Sequence, residues 1–272
     1  MEELLSRVKA GSRWMWSLGD YTEVAPHLEI QAVELCEAIG IKPGMQVLDV
    51  AAGNGNFAAA AARRSSIVTA CDLSPRMIEL GQARTEAAGL DVRWFEADAE
   101  QLPFPDGGFD VVASVFGAMF APQPDLVARE LFRVCRPGGT VAMANYSREG
   151  FLGTFAQLLT AFSAPPAFEL PSPFEWGDME VVRRRFAGFA SGVELRPGHV
   201  VMSFPSLGDG ISFWERTNGP QLALRTLLPV EGYDEFKRQA ASLMRDMNES
   251  SEGRLELRSS YLTVLASKPS AA

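Results

Sequence analysis

The chain has 272 residues, a formal net charge of −9 and 47% hydrophobic side chains. That length suits one large domain or a domain with a sizeable insertion, and a globule of this size buries roughly three quarters of the surface its unfolded chain exposes. An acidic balance argues against a surface built to neutralise nucleic-acid phosphates, and charged residues at 22% give no sign of extensive disorder.

In chain order, the opening MEELLSRVKAG lacks the apolar core of a secretory signal. No later stretch approaches the ~20 apolar residues of a membrane span, so a cytoplasmic chain is expected. The segment SRWMWSLGDYTEVA follows, with Trp14, Trp16 and Tyr21 as aromatics that a sheet would not require. Leu28, Ala32, Leu35 and Ile39 recur at helical spacing, which predicts a helix from Pro26 to Ile39 with Gly40 as its stop. KPGMQ predicts a turn and MQVLDVA the first strand, with a helix from Ala58 to Arg64 after a glycine-rich loop.

SIVTACDL predicts a second strand ending at Asp72, and Ser74-Pro75 opens a helix running to about Ala88. DVRWFEAD and FDVVASVF predict strands; PDLVARELFRVC a helix, RPGG a turn and TVAMANY a strand. Alternation of strand and helix from Met45 to Tyr146 implies βαβ units and a parallel sheet. Beyond it, Phe151 to Phe162 predicts an apolar helix, and SAPPAFELPSPFEWGD a folded flap rich in proline and aromatics. GVELRPGHVVMSF and RLELRSSYLTVLASK predict two long strands, able to pair antiparallel at one sheet edge, around a helical segment near 209–248. The basic run Arg183-Arg184-Arg185 is short and suits a solvated helix face or an ion-pair cluster. Cys36, Cys71 and Cys135 are odd in number and lack a C-x-x-C pair, so buried thiols are expected and no metal site or disulfide framework is suggested.

The stretch VLDVAAGNGNF carries the chemical signal. GNGNFA, from Gly53 to Ala58, fits the dinucleotide spelling G-x-G-x-x-G/A. Asp49, four residues before Gly53, would repel a pyrophosphate, and Asp72, Asp98 and Asp110 add further acids near strand ends. A ligand drawn there should carry positive charge together with hydrogen-bond donors. S-adenosylmethionine has that profile: a sulfonium, an ammonium, two ribose hydroxyls and an adenine.

VLDVAAGNGNFAAAAARR, TACDLSPRMIELGQAR, ADAEQLPFPDGGFDVV and LFRVCRPGG resemble, in order, the motifs of class I S-adenosylmethionine-dependent methyltransferases. The pattern is most similar to the small-molecule group of methyltransferase type 11, which includes ubiquinone/menaquinone-biosynthesis-type enzymes and methylation in secondary metabolism. The resemblance implies an α/β fold: a Rossmann-like, seven-stranded, mostly parallel sheet with helices on both faces and an antiparallel edge strand. It also implies an N-terminal helical lid and a substrate-cap insertion after strand 5. In a single methyltransferase domain over 1–272, residues 1–40 would be the lid and 41–147 the cofactor-binding core. Residues 148–190 and about 208–250 would be cap and helical insertions, with edge strands at 191–207 and 251–268.

The resemblance assigns Asp49 to the methionine ammonium and Asp72 to the ribose hydroxyls. Gly53 and Gly55 would let the backbone approach the cofactor; Leu73 and Met77 would pack on adenine, with Asp98 receiving its amino group beside Ala99. Ser114 and Phe116 would floor the site near the reactive methyl. Ala51 stands where the family often has glycine, implying a slightly altered turn. Asp110 falls in a pattern that organises the sheet edge, outside the site. Tyr21 or Trp14 would reach cofactor or substrate from the lid. For the acceptor, Phe116, Met119, Phe120, Asn145, Tyr146, Phe151 and Trp176 suggest an apolar or aromatic molecule. His199 is the candidate base, needed only if the acceptor must lose a proton.

S-adenosylmethionine would be cofactor and S-adenosylhomocysteine product, with a small-molecule substrate and no nucleic-acid partner; a homodimer is compatible. Two other readings stay open: a protein that binds S-adenosylmethionine without transferring methyl, and an NAD-dependent oxidoreductase.

Overall fold

The computed structural model describes residues 2–164 and 168–271. Five strands, β1 (Gln46–Val50), β2 (Ile67–Asp72), β3 (Val92–Glu96), β4 (Phe109–Val115) and β5 (Cys135–Gly150), pair in parallel in the order β3-β2-β1-β4-β5. Then β7 (Leu255–Ser267) inserts antiparallel between β5 and the edge strand β6 (Gly192–Phe204), completing seven strands. The sheet is therefore mixed and mostly parallel, with its antiparallel pairings at one edge.

The central strands are covered on both faces, which explains their nearly unbroken apolar sequences. Side chains alternate across the pleat. Val47, Val68, Val111 and Ala113 meet Leu35 and Cys36 of α2 (Tyr21–Ile39) and Phe57 and Ala61 of α3 (Asn56–Ala62). Leu48, Val112 and Val141 meet Val127 and Leu131 of α5 (Pro124–Val134) in the larger core. Each such buried Leu or Val contributes on the order of 2 kcal/mol. By the same alternation Asp49 faces α3 and Asp110 lies at the start of β4. There Asp110 accepts from the Gln46 N–H at 2.7 Å and pairs with Arg136, tying β1 to β4 and β5.

The remaining helices surround this core. They are α1 (Glu2–Trp16), α4 (Pro75–Ala87), α6 (Phe151–Phe162), α7 (Met179–Phe186), α8 (Leu207–Thr217), α9 (Gly219–Leu227) and α10 (Val230–Asp246). None of the described helices is long and apolar enough to cross a membrane. All three cysteines are buried and free.

Some boundaries differ from the expected ones. The helix expected from Pro26 begins at Tyr21, because Asp20 caps it by accepting from the Thr22 N–H at 3.0 Å. Pro26 sits inside, at the cost of one backbone bond. RPGG is absorbed into a longer β5, where the β4 pairing jumps from Phe109↔Cys135 to Val111↔Thr140 around Gly138 at φ +70°. In the predicted flap, Pro173–Gly177 form a 3-10 turn, while residues 165–167 lie outside the described residues.

One close approach sets the spacing of the loops after β1 and β4. A Cβ added at Gly117 would lie 2.1 Å from the Ala51 carbonyl oxygen, an atom of the backbone that cannot turn aside. Gly117→Ala should therefore destabilise by about 1–3 kcal/mol, as overpacked sites do. Gly192→Ala, where nothing lies within 4 Å, should change stability by less than about 0.5 kcal/mol. Urea denaturation of both variants checks the contrast.

Candidate active site

The site gathers at the carboxyl ends of the parallel strands, where open α/β sheets place their crevices. The loop after β1 turns sharply: Ala51, Gly53 and Gly55 have φ of +53°, +56° and +84°. Glycine adopts this conformation freely, whereas Ala51 adopts it against the usual steric cost of a Cβ. Gly53 donates its N–H to Asp72 Oδ2 at 2.8 Å, and Ser74 N–H donates to Asp72 Oδ1 at 2.9 Å. Asp49 Oδ2 accepts from the Ala58 N–H in the first turn of α3 at 2.9 Å. Both carboxylates are thus fixed by backbone donors.

Asp49 is 1% exposed and Asp72 9%. Burial pushes the Asp49 carboxyl up to about 8, with the Ala58 N–H opposing and Asp72 adding repulsion. Burial likewise pushes Asp72 up, against the N–H groups of Ser74, Gly53 and Leu73. No cationic side chain among the described residues offsets either group. Two buried, hydrogen-bonded carboxylates without a counter-ion form a cradle for a cation bearing N–H and O–H donors.

Both border a cavity of about 270 Å³. Of the residues expected at the cofactor, Tyr21, Asp49, Ala51, Gly53, Asp72, Leu73, Met77, Asp98, Ala99 and Phe116 line it. Gly55 instead caps α3 with its backbone close to the Trp94 ring. Ser114 lies behind the wall, its hydroxyl accepting from the Ala118 N–H at 2.9 Å. Asp98 does not present a free carboxylate: Lys9 of α1 reaches its Oδ2 at 2.6 Å and Glu100 at 2.5 Å. Arg13 donates to the Leu73 carbonyl at 3.0 Å and pairs with Glu96.

Helix α1 thus lies over the ends of β2 and β3, with Lys9, Ser12 and Trp16 facing the cavity at helical spacing. Trp16 packs on Tyr21 at 5.9 Å and on Phe120 at 4.9 Å between ring centroids. Of the two aromatics named from the sequence, Tyr21 lines the cavity, whereas Trp14 is 40% exposed and outside the lining. Continuing the helical period back from Trp16 through Ser12 to Lys9 would have found the lining face.

The rest of the cavity is apolar. Phe116, Phe120 and Tyr146 line it, joined by Val24 and Leu28 of α2, Leu152 of α6, Met202 of β6, and Phe213 and Trp214 of α8. Thr217 and Asn218 close the end beside α9. The contribution of α8 gave no motif in the sequence, because it arises only when the β6–β7 connection folds back over the sheet.

Other expected acceptor residues are core. Met119 and Phe151 are 1% exposed and Trp176 is fully buried. Phe151 packs on Phe155 and Trp214, and Trp176 lies beneath the Arg185 guanidinium at 4.8 Å. Asn145 is buried away from the cavity lining, on the face of β5 opposite Tyr146. His199, the candidate base, is exposed on edge strand β6, with Nδ1 3.3 Å from the Ser260 hydroxyl. An edge-strand side chain on solvent cannot reach the cavity, so the candidate base is corrected. His27 lies closer, packed on Phe204 and Phe213 at 5.6 and 5.1 Å, with burial lowering its basicity.

The uncompensated burial of Asp49 has a consequence for stability. Its folded value is raised above the unfolded one, so the ligand-free fold loses stability as pH rises from about 4 towards about 8. Asp49→Asn keeps an oxygen for the Ala58 N–H and removes the ionisation. It should raise the melting temperature on the order of 4 °C at about pH 8.5 and less at about pH 5, read by differential scanning calorimetry.

Comparison with known proteins agrees with this geometry. Residues 47–139 match the family model described as "Methyltransferase domain". An uncharacterized protein of Mycobacterium tuberculosis is 40% identical over 191 residues, covering 70% of each chain. A ubiquinone/menaquinone biosynthesis C-methyltransferase of Idiomarina loihiensis is 36% identical over 114 residues, 40% of this chain and 45% of that one. Among solved structures, a putative methyltransferase from Bacillus halodurans shares the fold with a TM-score of 0.60 and 24% identity, over 88% of this chain and 99% of that one. With the motif order, the strand order and the paired acids at the strand ends in agreement, the chain belongs to the class I S-adenosylmethionine-dependent methyltransferases.

Proposed function

We propose that this enzyme transfers the methyl group of S-adenosylmethionine to a small apolar, aromatic acceptor. The observation that carries this reading is the composition of the cavity beyond the two carboxylates. Phe116, Phe120, Tyr146, Leu152, Met202, Phe213 and Trp214 wall it. Such a surface rewards burial of a planar apolar molecule and penalises a zwitterion.

The cofactor fits the other half. When bound, it supplies a methyl group on a cationic sulfur. Asp49 would take its ammonium, which compensates a buried carboxylate that otherwise has no cation. Asp72, already oriented by the N–H groups of Gly53 and Ser74, would accept from the ribose hydroxyls. Leu73, Met77 and Ala99 offer apolar contact to the adenine. Its amino group would share Asp98 with Lys9, whose ammonium already holds that acid.

The protein's chemical task is alignment. Holding two reactants in line can contribute about 7–11 kcal/mol, and an enclosed cavity excludes water as a competing acceptor. Phe116 sits where the two halves join, in the left-handed region at φ +56°. Its strain is tolerated where position of the ring matters more than backbone ease. A cofactor-binding protein without transfer would not need this aromatic chamber. The three buried thiols support a reducing, cytoplasmic setting.

Two experiments test the reading. Burial raises the Asp49 carboxyl to about 8 in the free chain, so it must ionise to meet an ammonium. S-adenosylmethionine affinity should therefore rise close to tenfold per pH unit between about 6 and 7 and flatten towards 8, with proton release seen in buffers of different ionisation enthalpy. Affinity independent of pH over that range would reject the role of Asp49. Separately, an acceptor panel should give turnover with phenols and quinols at rates at least about tenfold above small aliphatic amines. Turnover confined to amines would reject the aromatic acceptor.

A further inference from the structure

Tyr146 is the polar exception in the acceptor wall formed by β4, β5 and β6. Its ring lies flat on Phe116, 4.0 Å between centroids and 11° between planes, and both rings line the cavity. Across the strand pair, Tyr146 is in register with Tyr261 of β7, which meets Phe116 edge-on at 5.5 Å. The stack fixes where the Tyr146 hydroxyl stands. Among the described residues no hydrogen bond acts on that hydroxyl, so its donor remains for whatever enters.

The groups around it define what it can do. Tyr261 is directed to Thr263 and Glu34, with burial raising its own ionisation. His27 stands behind Phe204 and Phe213, outside the lining. From β4, α6, β6 and α8 the neighbours lining the cavity are Phe116, Leu152, Met202, Phe213 and Trp214, none of which titrates, and from α2 comes Tyr21, whose phenol burial raises well above its ordinary value and so keeps neutral. Asp49 and Asp72 belong to the cofactor end. Burial alone raises the Tyr146 phenol far above its ordinary value, so it is held as a neutral donor and cannot serve as a base. The acceptor end thus contains a fixed O–H donor and, among its described lining residues, no group able to remove a proton.

We infer that Tyr146 donates a hydrogen bond to the reacting oxygen of a phenol or enol that enters the cavity already as its anion. This rests on the aromatic-acceptor reading and specifies its chemistry. The acid loses its proton to solvent before it is enclosed. The anion's electron pair then forms the bond to the methyl carbon, the methyl–sulfur bond breaks, and its pair stays on sulfur. Anion and sulfonium cancel, and the products are a methyl ether, or a carbon-methylated ketone, and a neutral thioether. For oxygen transfer no proton is left over, so no enzymatic base is required. The hydroxyl and the sulfonium both favour the anion that the apolar walls disfavour.

The test uses 4-nitrophenol, whose anion absorbs visible light where the neutral form does not, titrated with pH in complex with S-adenosylhomocysteine-loaded enzyme. Tyr146→Phe keeps the stacked ring and removes only the hydroxyl; its melting temperature and cofactor binding verify the fold. Bound nitrophenol should be about tenfold less ionised at a given pH in Tyr146→Phe than in the natural enzyme. With a series of turned-over phenols of different acidity, the inflection in kcat/KM against pH should move with each phenol's own pKa. Equal ionisation in both proteins, or an inflection that stays fixed across the series, overturns the inference. If nitrophenol does not bind and no phenol or enol turns over, the aromatic-acceptor reading itself falls.

Discussion

The structure depends on a costly arrangement: Asp49 and Asp72 are carboxylates held in a nearly dry interior without a cation. Left alone, such groups would be replaced by apolar residues of similar size or drawn to solvent. Here backbone donors keep them in place, and those donors exist because the loop after β1 and the turn after β2 leave N–H groups pointing at the strand ends. The left-handed residues Ala51, Gly53 and Gly55 follow from the same requirement. The loop must turn back at once for α3 to present the Ala58 N–H to Asp49. Local strain and buried acids are thus one feature: the turns that supply the donors also keep both carboxyl groups from solvent.

Helix α1 is held differently. Lys9 bridges Asp98 and Glu100, and Arg13 meets Glu96 and the Leu73 carbonyl. The Arg13 and Glu96 side chains are about half exposed, at 43% and 50%, so water and salt weaken their pairing. The Lys9 contacts are better sheltered, with Glu100 at 1%. Helix α1 buries no residue completely, so its hold on the body is modest. It rests over the end of the cavity that Leu73, Met77 and Asp98 line.

Much of the first half was legible in the sequence because its determinants are local. A strand ending in an acid, a loop with glycines at fixed offsets and a Ser-Pro helix start are each written within a few residues. Asp49, Gly53, Asp72, Leu73 and Met77 could be placed at one cavity before any coordinates. The acceptor wall was only partly legible. Phe116 and Phe120 follow the end of β4 and Tyr146 lies in β5, which sequence order locates. Phe151 and Trp176 carry the same chemistry, yet helix phase and the turn at Pro173–Gly177 send both inward. Phe213 and Trp214 lie about 160 residues beyond the glycine loop and reach the cavity only through the β6–β7 connection. His199 was misplaced for a related reason: it lies on a strand whose outer neighbour is solvent, which topology alone reveals.

This division has a physical consequence for how the two halves can change. The cofactor half is made by backbone geometry at the ends of β1 and β2, so most substitutions there disturb a turn, a buried charge or the sheet. The acceptor half is made by side chains on α2, α6, β6 and α8 that touch the sheet through packing. Packing tolerates exchange of one apolar group for another of similar volume at small cost. Acceptor shape can therefore vary without altering the carboxylate cradle, and the elements free to vary are those where short motifs carry no information. Phe116 and Tyr146 are the exceptions within the acceptor half. Phe116 directly follows β4 and Tyr146 stands on β5, their stack is supported by Tyr261, and Phe116 accepts a left-handed backbone to join it. A strained, sheet-borne aromatic pair keeps its position while the helices around it are remodelled. It is therefore set by the sheet, whereas the rest of the wall is set by the packing of helices and the edge strand.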